Sequence, residues 1–221
     1  MPHARYSLRP LAPEAAPAPL PFPSTVSAMI VLGVDPGTRH TGLGTVTVEG
    51  SRERALGAST IHMSGDLDHT IRLQRIYEGV LEAIDAYNPD ELAVELPFMG
   101  KNAQAMLKLG RAQAAVMLAA MHREVPVAQY APAEIKKAVV GNGRATKDQV
   151  TYMVRQRLAL TETYSEDAHD ALAIALCHAA RRHTGPPAPG GSAKAASGAG
   201  RKTGRVRSWS DFIEQNPERL R

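Results

Sequence analysis

Asp35, Glu95, Asp167 and Asp170 are the side chains whose type and spacing could do chemistry in this sequence. Asp35 ends the apolar run MIVLGV and opens the turn DPGTRHTG. A buried strand seldom ends in a carboxylate without a reason, because an unpaired ionised group is costly to desolvate. The turn by itself admits three readings: a phosphate cradle, a metal ligand, or a capped Asp-Pro-Gly turn. Glu95 nearly ends a second apolar run, ELAVEL. Asp167 and Asp170 stand three apart in SEDAHDALAIA, which puts them on one face of a helix. His169, about 100° further round that helix, falls off the face.

Taken singly, each acid has a plain account. Glu95 suits a strand-end ion pair, and Asp167 suits the positive end of a helix dipole. Asp170 is harder to explain so, because it shares a side with Ala173, Ile174 and Cys177. Four carboxylates brought together repel one another unless protons or cations neutralise them. Hard divalent cations, Mg²⁺ above all, prefer such oxygen ligands. Two ions roughly 3.5–4 Å apart stabilise both the attacking and the leaving oxygen in phosphodiester hydrolysis.

The elements that would gather these acids can be read from periodicity. Strands are expected over 29–34, 41–48 and 54–63, joined by short turns as an antiparallel meander. A helix over 67–87 follows, stopped by Asn88-Pro89, then a strand over 91–96. Beyond them come a helix over 101–123, a strand over 125–130, helices over 132–140 and 146–158, and a last helix over 165–182. This order predicts an α/β fold, a mixed five-stranded sheet flanked by helices. A right-handed crossover lets the first and fourth strands lie parallel and adjacent, so that Asp35 and Glu95 meet at the carboxyl edge of the sheet. Gly37, Gly42 and Gly44 are read as shaping the turn and the strand after it.

Residues 29–183 hold 17 Lys/Arg against 18 Asp/Glu, so the net charge of +4 belongs to the flanking segments. Residues 1–28 read as a disordered Pro/Ala-rich extension, and Met29 stands just before the first strand. Residues 184–208 read as a flexible basic linker, and 209–221 as a short amphipathic segment with Trp209, Phe212 and Ile213 on one side. A basic tail suits a polyanionic partner. Cys177 is the sole cysteine, which excludes an intrachain disulfide and a thiolate zinc cluster. No apolar run approaches a membrane span and no signal-peptide core is evident, so a cytoplasmic protein is expected.

Four blocks carry a resemblance: LGVDPGTRHTGLG, VELPFMGKNAQAMLKLGRAQAA, APAEIKKAVVGNGRATKDQV and DAHDALAIA. In content and order they resemble the RuvC family of Holliday-junction resolvases, across nearly all of residues 29–180. The resemblance implies an RNase H-like fold, a homodimer, and Mg²⁺-dependent symmetric nicking of four-way DNA junctions during recombination and repair. It implies 5′-phosphate and 3′-hydroxyl products and two Mg²⁺ ions per site, with Mn²⁺ an alternative. It maps the metal-binding acids onto Asp35, Glu95, Asp167 and Asp170, where some relatives have His in place of Asp167. A base-contacting aromatic falls on Phe98, and the basic active-site positions on Lys136 and Lys147. A branch-migration helicase complex is the partner it suggests for the tail.

The residues themselves speak to DNA and to a second subunit. Lys136, Lys137, Arg144 and Lys147 flank GNGRATK, where mobile backbone and cations precede a helix, an arrangement suited to phosphate. The helix over 101–123 is apolar nearly all round, which fits burial on both sides and a two-fold interface. Three rivals stand beside the nuclease. VDPGTRHTG also matches the phosphate loop of actin-like ATP-dependent phosphotransferases, although some 155 residues cannot supply their second domain. A ribosomal-RNA nuclease of similar fold and a non-catalytic junction-binding adaptor are the others.

Overall fold

The computed structural model describes residues 28–97 and 102–184, with side chains through Arg182. The expectations for Phe98, the amino-terminal extension, the linker and the carboxy-terminal segment fall outside the described residues.

Three strands open the chain: β1 (Met29–Asp35), β2 (His40–Glu49) and β3 (Arg52–His62). Gly50, at φ +58°, makes the tight β2–β3 turn that a side chain would strain. Helix α1 (His69–Tyr87) follows, then β4 (Glu91–Glu95), α2 (Ala103–His122) and β5 (Val127–Tyr130). Helices α3 (Pro132–Val140), α4 (Lys147–Arg157) and α5 (Glu166–Thr184) complete the described chain. The strands form one sheet in the order β3-β2-β1-β4-β5, antiparallel on the β1–β3 side and parallel from β1 to β5. This is the expected mixed sheet.

Element ends differ from expectation by a residue or two, for local chemical reasons. α1 begins at His69 because Asp68 accepts the Thr70 N–H at 2.8 Å and closes the helix start. It ends where Asn88 turns left-handed before Pro89. α4 begins after Thr146, whose hydroxyl and the Gln149 side chain form a reciprocal cap.

The sheet carries a core on each face. Leu32, Val34, Leu43, Leu92 and Val94 pack under α1 and α2, together with Ile76, Val80, Val116 and Ala120. Val31, Val46 and Ala93 face the other way, onto Leu172, Ile174 and Leu176 of α5 and Val150 and Val154 of α4. Since strand side chains alternate faces, the parity that buries Leu32 and Val34 beneath α1 and α2 sends Asp35 toward α5. The same parity on β4 sends Glu95 there too.

Candidate metal centre

Helix α5 reaches this face because the strands beneath it lack side chains. Gly33 pairs with Gly44 across β1–β2, and Asp35 with Gly42. A Cβ on Gly33 would lie 2.0 Å from the Ala171 carbonyl oxygen, and one on Gly42 would lie 1.9 Å from that of Asp167. On Gly44 it would meet the Leu172 nitrogen at 2.6 Å. All three distances are far inside contact, so α5 rests on bare backbone. Gly42 and Gly44 therefore do more than shape a strand, as the sequence reading had it: they form the seat of the helix that brings Asp167 and Asp170.

Asp35, Glu95, Asp167 and Asp170 now act on one another. Burial first, and then the charges of Glu95, Asp170 and Asp167, raise the Asp35 carboxyl to a pKa of about 7 against the pull of Lys147. Burial and then the Asp170 charge raise Glu95 as well, opposed by Lys136 and Lys147. A cavity of about 200 Å³ opens beside them, lined by Asp35, Pro36, Glu95, Leu96, Pro97, Leu109 and Gln113.

Lys147 stands at the rim of this group. Its Nζ lies 3.0 Å from Asp170 Oδ2 and 3.0 Å from Glu166 Oε2. Burial would lower its pKa, but the hydrogen bonds to Asp170 and Glu166 outweigh that and hold it above the ordinary lysine value. Lys137 and Arg144 are exposed and are not among the charges that act on Asp35 and Glu95.

Among the described residues, no three His, Cys, Asp or Glu side chains sit close enough to hold a metal ion as they stand. Their chemistry nevertheless fits a hard divalent cation. The donors are all carboxylate oxygens, and Asp35 sits where burial and like charge disfavour its ionised form unless a cation arrives.

Several neighbours were not singled out from the sequence. His40 Nδ1 lies 3.8 Å from Asp167 Oδ2, and its ring meets His62 edge-on with centroids 5.1 Å apart. An unbroken hairpin register from the β2–β3 turn would set His40 opposite Ile61; the bulge at Thr45/Val46 shifts the pairing by one and brings His40 to His62. Glu166, beside Asp167 in the first turn of α5, is the second carboxylate that meets Lys147. His169 is buried at 4% exposure, and its Nδ1 lies 2.9 Å from the Ser165 carbonyl. A carbonyl can only accept, so Nδ1 carries the proton, and the buried Nε2 has no partner.

Residues 31–178 match the family model described as Crossover junction endodeoxyribonuclease RuvC. A protein of that name from Salinibacter ruber is 47% identical over 193 residues, 87% of this chain and 99% of its own length. The chain belongs to the RuvC family. The relative from Porphyromonas gingivalis is 42% identical over 87% of this chain and 97% of its own. Among solved structures, Thermus thermophilus RuvC superposes with a TM-score of 0.66 at 39% identity, covering 71% of this chain and 96% of that one. The same protein in complex with a Holliday junction substrate gives 0.65 at 37% identity, over 71% and 97%. Membership makes the chain an endodeoxyribonuclease, a hydrolase of phosphodiesters, and makes its sheet and α5 an RNase H-like arrangement. Among the described residues no helix is long and apolar enough to cross a membrane.

Proposed function

We propose that the protein resolves four-way DNA junctions in the cytoplasm, nicking two opposed strands in a Mg²⁺-dependent reaction that leaves 5′-phosphate and 3′-hydroxyl ends. The observation that carries this reading is the charge that Glu95, at the end of the neighbouring parallel strand, and Asp167 and Asp170, from the first two turns of α5, bring to bear on Asp35 in a RuvC-family chain. Asp35, Glu95, Asp167 and Asp170 would hold the metal, two Mg²⁺ ions or Mn²⁺ in their place. When bound, the metal supplies Lewis acidity toward the scissile phosphate and lowers the pKa of bound water. Asp35 and Glu95 come from the rigid sheet edge and fix one side of the site. Asp167 and Asp170 fix the other.

Lys147, held at the rim by Glu166 and Asp170, presents an ammonium to a phosphate entering the site. Lys136, close enough to lower the Glu95 pKa, does the same from α3. Lys137 and Arg144, exposed on α3 and on the loop before α4, extend this basic surface along a junction arm. Phe98, three residues past Glu95, would stack on an unpaired base at the crossover.

Incubation of the full chain with a synthetic mobile four-way junction and Mg²⁺ should give paired nicks at symmetric positions, and none on linear duplex of the same sequence. Junction binding without nicking at any Mg²⁺ or Mn²⁺ concentration would instead make the protein an adaptor for a branch-migration helicase.

Symmetric nicking needs two sites, and α2 is where a second copy would sit. Leu107, Leu118 and Met121 are 56%, 57% and 67% exposed. With exposed Arg111 and Ala114 they form a stripe at helical spacing on the side away from the sheet. Leu118→Glu is expected to convert a dimer to a monomer in sedimentation velocity at micromolar concentration. Single nicks should then replace paired ones. An unchanged sedimentation coefficient would remove α2 from the interface.

A further inference from the structure

Leu172, Ile174 and Leu176 anchor the middle of α5 in the core, but at its amino end, over Gly42, bare backbone gives little purchase against sliding or rotation. A polar array at the amino end of α5 supplies that purchase. Thr60 Oγ1 on β3 shares a hydrogen bond with Ser165 Oγ. The same Ser165 oxygen accepts the Ala168 N–H at 3.2 Å, closing the first turn of the helix. The Ser165 carbonyl accepts twice from His169, from its backbone N–H at 3.1 Å and from Nδ1–H at 2.9 Å. Thr60 lies opposite Gly42 in the β2–β3 register, and Gly42 touches the Asp167 carbonyl. Strand, cap and helix turn are thus joined within one residue layer of the two acids.

We propose that Thr60, Ser165 and His169 are positioning residues for the metal-binding face of α5. Thr60 sets the position of the helix along its axis. His169, whose buried Nε2 makes no hydrogen bond, serves through its Nδ1–H, which fixes the plane of the Ser165 peptide and so the direction of the cap. Together they set how closely the Asp167 and Asp170 carboxylates approach Asp35. The inference rests on the metal-site reading above and adds what holds that site in register.

The test is Mn²⁺ affinity in the full chain without DNA, by electron paramagnetic resonance, beside melting temperature and Mg²⁺-dependent cleavage. Thr60→Val keeps the side-chain shape but removes the hydroxyl. It is expected to weaken Mn²⁺ binding about tenfold and to raise half-saturating Mg²⁺ by a similar factor, as removal of supporting groups does at metal sites. Thr60→Ser should restore both. His169→Leu should follow Thr60→Val, and Asp170→Asn, the reference, should lose most Mn²⁺ binding outright. Wild-type Mn²⁺ affinity in Thr60→Val with loss in Asp170→Asn would overturn the positioning role and leave the metal site standing. Wild-type affinity in both would overturn the metal site, and the positioning role with it. Should the His169 variant fail to fold, the Thr60 pair decides, since that change lies on the edge strand.

Discussion

Asp35→Asn is expected to make the metal-free protein more stable while abolishing cleavage. The folded-state pKa of about 7 lies above the ordinary aspartate value of 3.8, so the native state holds a proton between these values that the unfolded chain has released. Ionised Asp35 therefore opposes folding above pH 7, and the penalty fades as pH falls toward 4. A shift of this size corresponds to about 4 kcal/mol at most, and about 2–4 kcal/mol is a fair range for a buried carboxylate. In EDTA at pH 8 the variant should melt roughly 5–10 °C above wild type, and at pH 4 the two should nearly coincide. Added Mg²⁺ should raise the wild-type melting temperature and close the gap, because the cation binds the ionised form. Junction cleavage should fall at least about 10³-fold, with binding retained. A variant no more stable than wild type at pH 8 would contradict the burial of the Asp35 charge. One that still nicks would remove Asp35 from the chemistry.

The fold and the four acids were legible in the sequence for different reasons. The order of elements set β1 beside β4 and so brought Asp35 and Glu95 to one sheet edge, although both strands are apolar on both faces and gave no sign of which face each acid takes. The i, i+3 spacing of Asp167 and Asp170 needed only helical geometry. What could not be read was the distance between helix and sheet. That depends on Gly33, Gly42 and Gly44 aligning across two strands, a tertiary fact that a one-dimensional pattern leaves open. The role of Lys147 as a bridge between Asp170 and Glu166 is likewise set by where α4 begins relative to α5, although its charge and loop had marked it as a phosphate contact. His169 was expected off the acid face; its burial and its hydrogen bond to Ser165 required the helix cap to be seen.

Because the seat is backbone, its smallest disturbance should be expressed in the chemistry. Gly42→Ala would place a methyl carbon 1.9 Å from the Asp167 carbonyl oxygen and 2.5 Å from its carbonyl carbon, and neither atom can rotate away as a side chain would. A comfortable carbon–oxygen contact is nearer to about 3.3 Å, so the first turn of α5 must retreat by roughly 1 Å or more. The remainder of α5 stays anchored by Leu172, Ile174 and Leu176 in the core, so the displacement concentrates where Asp167 and Asp170 lie. Overpacking of this kind costs about 1–3 kcal/mol in stability. A misplacement of about 1 Å at reacting groups costs on the order of 10²-fold in rate. Gly42→Ala should therefore remain folded by circular dichroism while junction cleavage at saturating Mg²⁺ falls about a hundredfold. Gly65→Ala, whose methyl would meet only the Arg39 side chain at 3.5 Å, is the matched control and should cleave at the wild-type rate. Wild-type cleavage by Gly42→Ala would mean that the acids on α5 need no such close approach to Asp35, and the two-sided metal centre would have to be given up.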